Sequence, residues 1–239
     1  MPRIFVDFPL AAGQDLLLQG AAARHIQVLR MQPGQDVTVF NGQGGEFSAT
    51  IERMGRSDVA LAVRTFMDRE AEALRRVHLL VGAPANERMD WLVEKATELG
   101  VASIQPVMTE RSVLRLSGER AEKKTAHWQS IAQAACEQCG RNRVPLVHPF
   151  RTLPVVLIAL PQTSAPKLVL SLDTQADAWV SVQVAPEGAD IWLLNGPEGG
   201  LSAPEEESAV AAGFARAGLG PRVLRAETAA LAALMRALT

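Results

Sequence analysis

Near residue 72 the hydrophobic period of the chain changes, which divides it into two parts of different build. Before it, short runs alternate in the β manner at Arg3 to Phe8, Asp36 to Phe40, Glu46 to Glu52 and Asp58 to Phe66, with Asn41-Gly42-Gln43-Gly44-Gly45 as a hairpin turn. A helical stretch from about Ala21 to Met31 interrupts them. The pattern predicts a small β-barrel over residues 1–72. Asp68 to Arg76, acidic and rich in arginine, reads as the linker.

Beyond the linker, strand and helix patterns alternate, which predicts an α/β domain over 73–239 with a parallel sheet covered on both faces. Strands are expected at Arg76 to Gly82, Ser103 to Met108, Lys167 to Leu172, Asp190 to Asn195 and Phe214 to Leu219. The first helix repeats Met89, Leu92, Val93, Ala96 and Leu99 at helical spacing, with Asn86 as its cap and Gly100 as its stop. Further helices are expected at Glu119 to Cys139, Ala203 to Ala212 and Ala226 to Leu238.

Several function classes are disfavoured. The apolar run Leu153 to Leu160 is far too short for a membrane span and contains Pro154, and Met1-Pro2-Arg3-Ile4 opens no signal-peptide apolar region, so a cytoplasmic location is expected. Cys136 and Cys139 are the two cysteines. They close a helical pattern at Gly140, whereas a redox pair favours a helix N-terminus and a structural zinc needs four ligands. They are read as packing or surface thiols, and no metal is expected. His78, His127 and His148 are read as structural.

The net charge of −2 makes no global case for nucleic acid, but its distribution is uneven: −2 over residues 1–72, +3 over 73–150 and −3 over 151–239. Twenty of the 24 basic residues are arginine, suited to forked phosphate contacts and to stacking on bases, although a compositional bias toward arginine explains the number equally well.

Ligands of open parallel sheets bind beyond the carboxyl ends of strands, and two loops there stand out. Ile191-Trp192-Leu193-Leu194 runs into Asn195-Gly196-Pro197-Glu198-Gly199-Gly200, and Ser202 with Glu205 forms a capping box. Glycines between a buried strand and a helix allow backbone to approach a ligand, though a tight turn needs them too, and the Lys-Ser/Thr of a P-loop is absent. The second loop, Leu219-Gly220-Pro221-Arg222-Val223-Leu224-Arg225, leads into Ala226-Glu227-Thr228. Acids suit a first helical turn, so Glu227 is ordinary there, while the arginines are not.

The segments Glu94 to Val101, Glu110-Arg111-Ser112, Ala134 to Pro145, Gly196 to Ser202 and Leu219 to Ala229, together with Arg24-His25 and Val28-Leu29-Arg30-Met31, resemble the RsmE family of the SPOUT superfamily of knotted methyltransferases. The resemblance implies a C-terminal trefoil-knot domain preceded by a PUA-like barrel. It also implies S-adenosylmethionine (SAM) as cofactor, S-adenosylhomocysteine as product, N3-methylation of one uridine in 16S rRNA of the small ribosomal subunit, and a homodimer. The cofactor is expected at Leu172, Leu194, Gly196, Pro197, Glu198, Gly199, Gly200, Leu219, Gly220, Val223, Leu224 and Arg225. Arg225, Glu227 and Glu198 are the candidate catalytic groups, Arg225 for developing charge and the two glutamates for orientation or proton removal. RNA contacts are expected from Arg24, His25, Arg30, Arg111, Arg141, Asn142 and Arg143. An inactive ribosome-binding factor, and a knotted enzyme acting on transfer RNA or on ribose 2′-OH, are the alternatives.

Overall fold

The computed structural model describes residues 1–172 and 179–239, which divide into two compact units: Met1–Glu72 with Gln133–Val144, and Ala73–Ala132 with Pro145–Thr239.

The first unit carries β1 (Arg3–Phe5), β2 (Asp15–Gln19), α1 (Gly20–Val28), β3 (Asp36–Phe40), β4 (Glu46–Met54) and β5 (Asp58–Met67) in a five-stranded sheet of order β1-β3-β4-β5-β2. Only the β1–β3 pair is parallel. Two register irregularities between β4 and β5 bend the longest hairpin, as bulges do. Strand β2 is not legible in the sequence because three leucines in a row hide its alternation; Leu16 and Leu18 face the core and Leu17 is exposed. That core joins Ile4, Ile26, Val39, Ile51 and Leu61. Helix α1 ends as Arg30 takes φ 55°, the one positive φ outside glycine among the described residues. An L-residue there costs roughly 1–2 kcal/mol.

Residues 133–144 belong to this unit through buried polar contacts. Arg3 donates to Asn142 Oδ1 (2.6 Å) and to the Arg141 carbonyl (3.1 Å), Phe5 N–H donates to Glu137 (2.8 Å), and Arg141 pairs with Glu72 (2.5 Å).

The second unit holds β6 (Arg76–Gly82), α2 (Asn86–Leu99), β7 (Ser103–Met108), the start of α3 (Gly118–Cys139), β8 (Leu146–Val147), β9 (Arg151–Thr152), α4 (Leu153–Ala159), β10 (Lys167–Leu170), α5 (Val180–Gln183), β11 (Asp190–Asn195), α6 (Ala203–Ala211), β12 (Ala215–Ala217) and α7 (Ala226–Leu238). Its seven-stranded sheet is parallel throughout, in the order β12-β10-β11-β6-β7-β8 with β9 also on β7. Parallel strands buried on both faces need continuous apolar runs, and Leu79, Leu80, Val81, Ile191, Leu193 and Leu194 supply them. Leu153 to Leu160 proves to be mostly the short helix α4, which buries Leu153, Val156 and Leu157. Strand β12 is shorter than the sequence pattern suggests, because Gly218 to Gly220 belong to a loop. Asn86 does not cap α2: it is the first helical residue, and Ala85 occupies the cap position.

At the amino end of this sheet His78 binds Ser103 (2.7 Å) and Asp190 (3.0 Å) and stacks on Trp192 at 4.3 Å, joining β6, β7 and β11. Burial alone would raise the Asp190 carboxyl, but hydrogen bonds from His78 and Arg76 outweigh it and hold it below its ordinary value. His127 is held by Asp90 at 2.9 Å, and burial pushes His148 down. The Cys136 thiol is pushed up by its hydrogen bond with Cys139 and by burial, the reverse of what an attacking thiol requires. Among the described residues no helix is long and apolar enough to cross a membrane, and no cluster of three or more His, Cys, Asp or Glu could hold a metal ion.

Candidate active site

Adjacent strands β10, β11 and β12 end side by side, and the chain beyond their carboxyl ends encloses a cavity of about 640 Å³. Ser171 and Leu172 line it from β10, Asn195 to Leu201 from β11, and Leu219, Gly220 and Arg222 to Ala226 from beyond β12, with Gly218 immediately before them. That volume suits a nucleoside-sized ligand.

Glycine is needed in the β11 loop for two separate reasons. A Cβ on Gly196 would lie 2.6 Å from the Gly200 carbonyl carbon and the Leu201 nitrogen, so the loop folds back on itself only if residue 196 has no side chain. Gly200 and Gly220 instead take φ of 68° and 96°, where L side chains are strained. Gly82, at the end of β6, belongs to the same construction, since its Cβ would meet Pro197 Cδ and N at 2.5 Å.

The loop is then held from outside. Arg111 donates to the carbonyls of Gly199 (2.9 Å) and Leu201 (3.3 Å). Glu198 accepts from the Ala85 N–H (3.1 Å), one of the donors left free at the start of α2, and pairs with the Arg88 side chain (3.5 Å). Glu205 accepts from the Ser202 N–H (3.0 Å) and the Glu110 N–H (2.8 Å). On the other side of the cavity Trp179 donates to the Gly218 carbonyl (2.9 Å).

Asn195 donates to the Ala226 carbonyl (3.3 Å), while its buried Oδ1 has no partner among the described residues. An unmet buried acceptor in a cavity wall matches a ligand that brings an N–H group, and the amines of SAM are such groups. Leu172 and Val223, each 77% exposed, leave apolar surface open in the wall, as a purine ring would need. The residues present therefore fit SAM.

A second depression, of about 320 Å³, is lined by Glu87, Arg88, Trp91, Arg225, Glu227 and Thr228, so Arg88 and Arg225 line both spaces. Glu227 is 7% exposed, and its Oε2 has no hydrogen-bond partner among the described residues.

Comparison with known proteins gives this geometry a family. Residues 70–238 match the RNA methyltransferase domain model and residues 18–63 the RNA methyltransferase PUA domain model. Ribosomal RNA small subunit methyltransferase E of Bacillus subtilis is 31% identical, over 98% of this chain and 94% of its own. The chain belongs to the ribosomal RNA small subunit methyltransferase E family. Two solved structures are also similar, each 36% identical over 98% of this chain and 96% of theirs: a putative methyltransferase of Legionella pneumophila in complex with SAM (TM-score 0.92) and the Neisseria gonorrhoeae member of the family bound to SAM (TM-score 0.90). The α/β unit is thus the family's methyltransferase domain, and the β-rich unit contains its PUA-like barrel.

Of the cofactor residues expected from the family motifs, all but Leu194 line the larger cavity; Leu194 packs in the core with Leu80 and Val169. Arg225 and Glu198 line the same cavity, and Glu227 lines the smaller one. Arg111, expected to face RNA, is bound to the glycine loop. Arg24, Arg30 and Arg143 are exposed, and His25 is part-buried, 3.2 Å from Glu137. Arg141 and Asn142 present almost no surface, being 3% and 0% exposed, and they bond to Glu72 and Arg3 inside the first unit. Gly82, Arg88 and Trp91 escape sequence reasoning, and Asn195, which opens the glycine loop, is not among the expected cofactor residues. Gly82 ends a strand just before Ala83-Pro84, which is a readable signal; Arg88 and Trp91 carry no sequence mark of their own.

Proposed function

We propose that this chain transfers the methyl group of SAM to N3 of a uridine in 16S rRNA of the small ribosomal subunit, acting as a homodimer in the cytoplasm. The observation that carries the reading is the larger cavity, where a glycine loop, apolar walls and an unmet Asn195 acceptor lie beside Arg225. Bound SAM supplies an electrophilic methyl and leaves as S-adenosylhomocysteine. The protein's part is to position both reactants and to manage one proton, because N3 of neutral uracil carries a hydrogen that must leave before its electron pair can accept the methyl. Glu198 is occupied at the start of α2. The buried carboxylate of Glu227, with one oxygen unpartnered among the described residues, is then the acceptor for that proton. Arg225, lining both cavities, offsets the negative charge that spreads onto the uracil oxygens.

The reading extends to a trefoil knot through the loops that follow β11 and β12, and to a division of labour between the units. The barrel docks on RNA through Arg24 and Arg30, while the α/β unit performs the chemistry. Incubating the protein with isotopically labelled SAM and unmethylated small ribosomal subunits, then digesting the RNA for mass spectrometry, tests the proposal. Labelled 3-methyluridine at one position is the expected product. Label in ribose, or on a base atom other than uracil N3, would refute it.

A further inference from the structure

Four tryptophans occur in the chain, and three are put to structural use: Trp128 and Trp179 are 0% and 2% exposed, and Trp192 is stacked on His78. Trp91 is different. It lies on α2 with 45% of its surface exposed, in the wall of the smaller depression beside the Glu227 carboxylate. Exposing that much indole forgoes burial that the fold provides for the others, and an open aromatic face beside hydrogen-bonding groups is the usual platform for an unstacked base.

The polar groups of this depression specify which base. Uracil presents an edge of carbonyl oxygen, N3–H donor and carbonyl oxygen, whose complement is donor, acceptor, donor. Arg88 and Arg225 supply cationic donors and Glu227 the acceptor. Cytosine offers a bare N3 and an amino donor, so the same trio would set a carboxylate against a lone pair and an arginine against an N–H. Glu87 and Thr228 complete the wall; Glu87, exposed in the first turn of α2, is a further carboxylate there, and it disfavours a phosphate as the occupant. Because Arg88 and Arg225 also line the cofactor cavity, a base seated here would lie next to the methyl donor.

We propose that the depression lined by Trp91, Arg88, Arg225 and Glu227 is the subsite for the extruded acceptor base, with Trp91 as its stacking face and the charged trio selecting uracil over cytosine. This rests on the methyl-transfer reading above.

The test uses the full-length protein in two measurements. In steady-state methylation of small ribosomal subunits from a bacterium lacking its own family member, Trp91→Ala raises KM for subunits by about tenfold or more, the scale of losing one stacked base. Its SAM affinity by calorimetry stays within about twofold, and Trp91→Phe recovers most of the loss. In the second measurement, oligouridylate quenches the tryptophan fluorescence of protein saturated with S-adenosylhomocysteine. Oligocytidylate at the same concentration quenches less, and Trp91→Phe removes the difference. An unchanged KM in Trp91→Ala, equal quenching by the two oligonucleotides, or a Trp91→Ala protein whose loss tracks dissociation of its oligomer would each overturn the assignment. Should Trp91→Ala not fold, the quenching comparison decides alone. A wild-type protein that binds SAM and distinguishes the oligonucleotides but methylates no rRNA would refute the proposed reaction and leave the subsite standing.

Discussion

Replacing Gly82 with alanine adds one methyl group at the end of β6, where no ligand is expected to touch, and it should nevertheless disable cofactor binding. The new Cβ would lie 2.5 Å from Pro197 Cδ and N and 2.8 Å from the Gly196 carbonyl carbon. Carbon atoms in contact settle at about 3.5–4.0 Å, so the glycine loop must retreat by roughly 1 Å. The obstacle is backbone and a proline ring, which cannot swing aside as a long side chain would. Overpacking of this kind costs about 1–3 kcal/mol of stability, within what a domain of this size tolerates. A retreat of that size displaces the cavity wall, and a tenfold or greater loss of SAM affinity, at least about 1.4 kcal/mol in binding, is expected. Calorimetric titration with SAM, beside a thermal melt, measures both effects. Gly188→Ala is the control, because its Cβ would meet nothing within 4 Å and the residue lines neither cavity. If Gly82→Ala is folded and binds SAM within about threefold of wild type, the loop is not held against β6 as argued, and the reasoning from that contact fails.

Arg225→Ala should keep SAM affinity nearly intact and lose roughly two or more powers of ten in turnover; Glu227→Gln should lose a similar amount, and near-normal turnover in it would exclude proton removal by Glu227. Asp190 is held below its ordinary value in the fold, so its stabilisation is present above about pH 4 and disappears as pH falls through the folded value. Asp190→Asn should therefore melt lower than wild type at about pH 7 and converge with it in acid, as thermal melts across pH would show. Arg141→Ala should destabilise the protein by about 3 kcal/mol, since it strands Glu72 and empties a buried site, and a normal melting temperature would place that arginine elsewhere. Arg24→Ala with Arg30→Ala should weaken RNA binding and lower its salt slope by about one for each phosphate no longer neutralised, with SAM affinity constant by calorimetry.

How much of the fold and site is legible in the sequence depends on the range of the interaction concerned. The change of period near residue 72 separates two kinds of sheet, and the apolar strands β6, β7 and β11 are read to their observed ends, because burial on both faces is written in consecutive residues. The three leucines of β2 and the short helix α4 mislead because neither period survives in so few residues. At the site, the glycine loop and Leu219 to Arg225 are readable from local chemistry. The grip of Arg111 on Gly199, of Glu198 on Ala85 and of Gly82 against Pro197 joins residues far apart in the chain, and nothing in the spacing pairs them. Asn86 shows the converse: its residue type suits a cap, but the helix begins at residue 86 and Ala85 holds the cap position.

The first unit is not a continuous stretch of chain, since Gln133–Val144 completes it. During synthesis the contacts of Arg3 with Asn142 and of Glu72 with Arg141 cannot form until about half the protein has left the ribosome, so the barrel must wait, partly unsatisfied, while β6, α2 and β7 emerge. For the same reason residues 1–72 are not a portable module. A chimera that grafts them onto another catalytic domain would keep the Arg3–Glu46 pair but inherit a Glu72 without Arg141, and an Arg3 without Asn142, unless the donor segment around Arg141 and Asn142 travels with them.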